Sequence, residues 1–122
     1  MYLTELIGTF FLVLTIGMIV IGGKGDFASI AIGSVLMVMI FAGGHISGAH
    51  YNSAVTIAVL LRGKILLQDA LRYIFAQLGG ALMASLAVVY FLHDKIAIPQ
   101  SSIIHPVPGI LAELLIWRLQ LE

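Results

Sequence analysis

Apolar and polar positions along the chain fall into long blocks. Leu6 to Ile21 carries no charge, and with Tyr2 to Glu5 it makes a run of roughly 20 residues, about 30 Å as a helix, enough to cross a bilayer. Polar, glycine-rich Gly22-Gly23-Lys24-Gly25-Asp26 ends that run, and a second uncharged run of about spanning length follows over 27–44. The pattern predicts a membrane hairpin with spans at 2–21 and 27–44. A third span is predicted over 69–92, with Asp69 where a helix amino terminus favours an acid and Arg72 one turn in, able to snorkel to the headgroups. Within it Ala76, Gly80 and Ala84 recur at i+4, a small-residue spacing that lets helix backbones approach closely in lipid.

The segment 45–62, between the second and third spans, fits neither block. Polar and small residues, His45 to Ser53, precede an apolar run, Ala54 to Leu61, of about 12 Å as a helix, too short to cross. It is either a surface helix or a half-helix dipping into the membrane. Irregular backbone at membrane depth survives only where protein buries it or water lines it, so a re-entrant segment implies a pore.

Composition narrows the function classes. With 61% hydrophobic and 10% charged residues the chain needs lipid around it. Basic and acidic residues number six each and form no basic stripe, which sets nucleic acid aside. The absence of cysteine rules out a disulfide framework and a thiolate metal site. Met1 to Glu5 holds an acid and no basic residue, and no small-residue cleavage site follows, so the first run reads as a retained span rather than a secretory signal. Arg62, Lys64 and Arg72 cluster between spans two and three, against Lys24 in the first loop and Lys95 after the third span. The positive-inside rule therefore puts the amino terminus in the cytoplasm. A connection over 93–108, with Pro99, Pro106 and Pro108, is then extracellular, and a bacterial inner membrane is the expected location. Leu111-Ala112-Glu113-Leu114-Leu115 echoes Leu3-Thr4-Glu5-Leu6-Ile7, so 109–122 reads as the start of a second repeat, cut short.

Asn52 stands directly before the short apolar run, where an N-cap belongs. Its side-chain oxygen can accept a backbone N–H while its amide NH2 stays free to donate. The stretch Gly44-His45-Ile46-Ser47-Gly48-Ala49-His50-Tyr51-Asn52-Ser53-Ala54-Val55-Thr56 resembles the first signature loop of the aquaporin, or major intrinsic protein, family, whose usual form is S-G-[AG]-H-x-N-P-A-V-T. The resemblance extends to Glu5-Leu6-Ile7-Gly8-Thr9-Phe10 and to Ala76-Gln77-Leu78-Gly79-Gly80-Ala81, covering about residues 2–92 in matching order. It implies an all-α integral membrane fold: an aquaporin-like half-repeat of three spanning helices plus one re-entrant half-helix.

The function implied is a passive channel for water or small uncharged solutes such as glycerol, with no enzymatic step and no cofactor. By the same resemblance Asn52, Ser53 and Ala54 are the signature triplet, and Gly48, Ala49 and His50 offer pore-lining carbonyls. Glu5 is a buried acid that accepts hydrogen bonds from the loop, with an ordinary interfacial carboxylate as the alternative, and His45 and His50 brace the loop. Gln77 either bonds the same region or makes a helix-to-helix contact. Ile32 falls where the second span contributes to the narrowest filter, with ordinary packing as the alternative. Serine at 53 departs from the family's proline, which presets φ at the first helical position, and implies a looser loop. Because the family pore is built from two inverted halves and is usually tetrameric, channel activity and a homotetramer are expected of the complete form. The alternative is a truncated or frameshifted fragment with no transport of its own.

Three other chemistries fit poorly. His45 and His50 are not the i, i+4 pair of a helical zinc site, and no nearby carboxylate completes one. Ser47 lacks the G-x-S-G setting of a hydrolytic serine, and no span supplies a histidine to activate it. An exporter would want an acid inside a span, and Glu5 lies near an end.

Overall fold

The computed structural model describes residues 1–96, so most of the 93–108 connection and all of 109–122 lie outside the described residues. Among the described residues every regular element is a helix: α1 (Tyr2–Ile21), a 3₁₀ turn (Gly25–Phe27), α2 (Ala28–Ser47), α3 (Ser53–Leu61), α4 (Leu67–Phe91) and α5 (His93–Ile96). Among the described residues three stretches are long and apolar enough to cross a membrane: Tyr2–Ile21, Gly25–Ser47 and Leu67–Phe91. This is an all-α integral membrane fold in which α3 is too short to be a further crossing.

Local chemistry fixes the helix ends, and they differ in places from the sequence expectation. Past α1, Gly23 takes a left-handed φ of 75° and the Lys24 N–H returns to the Ile19 carbonyl at 2.9 Å. α2 runs three residues beyond the predicted end at 44, taking in His45 and Ser47. Gly44 does not stop it, because it keeps helical backbone; Gly48 does, at φ 83°, with its N–H on the Gly44 carbonyl at 2.9 Å. The irregular segment predicted to open at 45 therefore opens at Gly48, and α3 ends at Leu61, before Arg62 and a left-handed Gly63 (φ 67°). α4 begins two residues before the predicted 69 and ends one before 92. The first four residues of the predicted extended connection form the single turn α5.

Packing centres on α1 against α4. The buried stripe of α4 is Ala70, Tyr73, Gln77, Gly80, Ala84 and Val88, at three- and four-residue steps. Gly80 marks the closest approach: a Cβ there would stand 2.3 Å from the Leu6 carbonyl oxygen. Gly17 of α1 is pressed in turn against the Val88 side chain. Lipid supplies no hydrophobic drive between helices, so such backbone approaches carry the association. Gln77 and not Ala76 precedes Gly80 on this stripe; Ala76 is half-buried beside it.

Both ends of the α1–α4 pair are tied. The Tyr2 hydroxyl donates to Asp69 (2.9 Å) and accepts from Arg72 (3.2 Å), while Lys95 Nζ donates to the Gly22 carbonyl (2.9 Å). The amino terminus thus shares one end of the molecule with the start of α4, and the α1–α2 turn shares the other with its end.

Candidate functional site

Between Gly48 and Asn52 the backbone is neither helix nor strand, and it is bent hard. Ala49 and Tyr51 hold left-handed φ values of 52° and 50° beside Gly48. For residues with a Cβ this conformation costs about 1–2 kcal/mol each, so surrounding contacts must impose it.

Glu5 of α1 imposes most of it. Its side chain is wholly buried and each carboxylate oxygen accepts two hydrogen bonds. Oε1 takes the Ser47 hydroxyl (2.6 Å) and the His50 N–H (3.0 Å); Oε2 takes the Tyr51 N–H (2.7 Å) and the Gln77 amide Nε2 (2.9 Å). One acid thereby joins α1, the end of α2, the loop and α4. Desolvating a carboxylate is costly unless donors surround it, and four do so here.

A second hub is Thr56, fully buried on α3. Its hydroxyl oxygen accepts from Gln77 Nε2 (2.9 Å), lies 3.1 Å from His50 Nδ1 and reaches the Asn52 carbonyl at 3.2 Å. Gln77 spends both amide protons, on Glu5 and Thr56, and its oxygen accepts from the Ser53 hydroxyl at 3.2 Å. Tyr73 donates to the Ser47 carbonyl (2.8 Å) and meets the His50 ring edge-on at 5.2 Å.

Tyr51 anchors the loop from the other side. Its ring lies between Gly8 of α1 and Gly43 of α2, where a Cβ on either glycine would overlap it, and its hydroxyl donates to the Met39 carbonyl at 2.7 Å. Its own carbonyl accepts from Thr9 (3.1 Å). A cleft of about 190 Å³, lined by Thr4, Ile7, Met39 and Ala42, remains beside the ring.

Asn52 closes the loop in extended conformation (φ −152°, ψ 130°) and caps α3, its Oδ1 accepting the Ala54 N–H at 2.8 Å. Its amide NH2 has no partner among the described residues, and neither have the carbonyl oxygens of Gly48, Ala49 and His50. The flanking carbonyls of Ser47 and Tyr51 are both taken. The site thus presents three successive acceptors leading to one donor at the amino-terminal, positive end of α3.

The structure gathers Glu5, Gly48, Ala49, His50, Asn52, Ser53, Ala54 and Gln77 around this loop. Two expected residues stand apart. His45, expected to brace the loop, lies in the last turn of α2 with its side chain exposed and without a hydrogen bond to any described residue, because α2 continues as helix through it. Ile32 sits half-buried in the first half of α2, outside the network. Ser47 is turned onto Glu5 as a support, and among the described residues no histidine side chain is hydrogen-bonded to its hydroxyl. Thr9, Tyr51, Thr56 and Tyr73 belong to the site and were missed. Thr9 and Thr56 gave a signal, each a polar residue inside an apolar run; Tyr51 and Tyr73 act through partners distant in sequence.

Residues 1–116 match the model of a family described as major intrinsic protein. A glycerol uptake facilitator protein-like 6 of Lactiplantibacillus plantarum is 45% identical over 93 residues, covering 75% of this chain and 43% of that protein. A putative aquaporin NIP4-1 of Arabidopsis thaliana is 40% identical over 93 residues, covering 70% and 33% respectively. An aquaporin Z of Photorhabdus laumondii is 41% identical over 64 residues, covering 52% and 27%. The chain therefore spans less than half the length of each of these relatives. No solved structure is significantly similar to it.

Proposed function

The chain belongs to the major intrinsic protein family, and on that premise we propose that its loop and half-helix form one half of a passive transmembrane pore for water or small uncharged solutes such as glycerol. The observation that carries this reading is the run of carbonyls at Gly48, Ala49 and His50, unpartnered among the described residues, ending on the Asn52 amide, whose NH2 is likewise without a partner among them. A neutral hydroxylic solute needs both acceptors and donors to replace its water, and this line offers them in sequence. The amino terminus of α3 adds positive potential at the same point, which disfavours cations, a hydrated proton included. No step in this passage breaks or makes a covalent bond.

A pore on the family plan needs a second, inverted half, supplied by further chain or by another copy, and the complete assembly is a homotetramer. The cluster of Arg62, Lys64 and Arg72 supports a cytoplasmic amino terminus, and the similarity to a bacterial relative supports a bacterial inner membrane. Ile32 is the candidate contributor to the narrowest filter, and His50 braces the loop through Thr56.

Stopped-flow light scattering tests this on liposomes holding the 122-residue chain, under an osmotic step and then a glycerol gradient, with Asn52→Asp as control. Shrinkage faster than that of empty liposomes and altered by the substitution is the expected result for a half that pairs into a pore. Rates equal to those of empty liposomes, with insertion verified, favour the alternative, a fragment without transport of its own.

A further inference from the structure

Serine at 53 stands where the family pattern has proline, and the structure assigns it a task that proline cannot do: its hydroxyl fixes the Gln77 amide, and through it the loop. The inference rests on the channel reading only for its consequence in transport.

The orientation of the Gln77 amide is forced. Glu5 Oε2 lies 2.9 Å from one amide atom and, as a carboxylate oxygen already accepting the Tyr51 N–H, needs a donor there, so that atom is the nitrogen. The amide oxygen must then face the other way, toward α3. Gln77 is 2% exposed, so this oxygen is shut off from bulk water. Its partner is the Ser53 hydroxyl at 3.2 Å, from the first residue of the half-helix. Ser53 is therefore a positioning residue. It holds Gln77 in the orientation that donates to Glu5 and Thr56, and those two bond the Tyr51 N–H and the Asn52 backbone carbonyl.

Proline at this position would preset φ, worth about two- to fivefold in favour of the folded loop. It would also leave the Gln77 oxygen buried without a donor, which costs about five- to a hundredfold. The second effect exceeds the first, so restoring the family residue loosens the loop in this chain instead of tightening it.

The test is amide hydrogen exchange on the ¹⁵N-labelled full chain in detergent micelles, read at the Tyr51 backbone N–H. It compares Ser53→Thr, Ser53→Ala and Ser53→Pro, each with Gln77 present and with Gln77→Met. With Gln77 present, exchange is expected to stay within twofold of the parent for Ser53→Thr and to rise at least fivefold for Ser53→Ala and Ser53→Pro. In the Gln77→Met background, which has no amide oxygen to satisfy, the penalty of Ser53→Pro is expected to vanish. Slower or unchanged exchange in Ser53→Pro with Gln77 present overturns the assignment, as does an equal penalty in both backgrounds. Should Ser53→Pro fail to fold, Ser53→Ala against Ser53→Thr decides by the same criterion. The expected exchange pattern together with liposome flux no faster than empty vesicles would leave the role of Ser53 standing and favour the fragment without transport of its own. Flux without that pattern would do the reverse.

Discussion

Replacing Glu5 by Gln changes one oxygen to an NH2 and nothing in the outline of the side chain, yet it strikes the point where four elements meet. If the new NH2 faces Tyr51 and Gln77, it meets two donors that lose their acceptor. If it faces Ser47 and His50, the Ser47 hydroxyl can turn to the Gly43 carbonyl, 3.5 Å away, and only the His50 N–H is left against a donor. The second placement is cheaper. It leaves one buried donor unpaired, about 1–3 kcal/mol, and removes charge assistance from the two bonds that remain, about 1 kcal/mol each, for a total of about 3–5 kcal/mol. At the smaller average measured inside membranes, about 0.6 kcal/mol per bond, three affected bonds still give about 2 kcal/mol. Hydrogen exchange at the His50 and Tyr51 amides reads the opening of the loop directly, and its rate is expected to rise by roughly 30-fold at least, with exchange in the middle of α2 little changed. A rise of less than threefold at both amides would refute the claim that Glu5 holds the loop in its left-handed bends.

Four further outcomes follow from the same geometry. Gly80→Val is expected to force α1 and α4 apart, since even a Cβ would stand 2.3 Å from the Leu6 backbone; thermal unfolding in detergent should show a loss of about 3 kcal/mol or more. Tyr51→Phe removes the bond to the Met39 carbonyl but keeps the ring between Gly8 and Gly43, so it should cost only about 1 kcal/mol, whereas Gly8→Ala, which drives a methyl into that ring, should cost more in the same assay. Ala49→Gly relieves a left-handed φ of 52° and is expected to slow exchange of the neighbouring His50 amide by about fivefold, near 1 kcal/mol. Asn52→Ala strips the cap from α3 and should raise exchange of the Ala54 amide by about fivefold, the loss of about 1 kcal/mol typical of an N-cap.

The spans were legible in the sequence because an uncharged run of spanning length admits few other readings in water or lipid. Their ends were less so. The polar look of Gly44 and His45 drew the boundary of α2 too early, because the stop depends on which glycine turns left-handed, and Gly48 does so while Gly44 stays helical. Asn52 was readable as a cap because capping is local, requiring only a short acceptor side chain just ahead of a helix. The grip of Glu5 on residues 47, 50, 51 and 77 and the contacts of Tyr51 with Gly8 and Thr9 span 42 or more residues. Periodicity and propensity carry no such information. Resemblance to a family pointed to Glu5 and Gln77, but it also pointed to His45, and it offered nothing about the bond from Ser53 to Gln77, since a proline pattern has no hydroxyl there.

The acid at position 5 also sets a problem of timing during synthesis. Its donors come from residues 47, 50, 51 and 77, so the last of them is joined to the chain 72 residues after the acid itself. At roughly 5–20 residues per second, α1 waits about 4–14 seconds before its carboxylate can be fully satisfied. Hydrocarbon offers it nothing in that interval, but Glu5 lies in the first turn of α1, and a shift of the helix by a turn or so keeps it among headgroups and water. α1 is therefore expected to reach its final depth only once α4 has joined it.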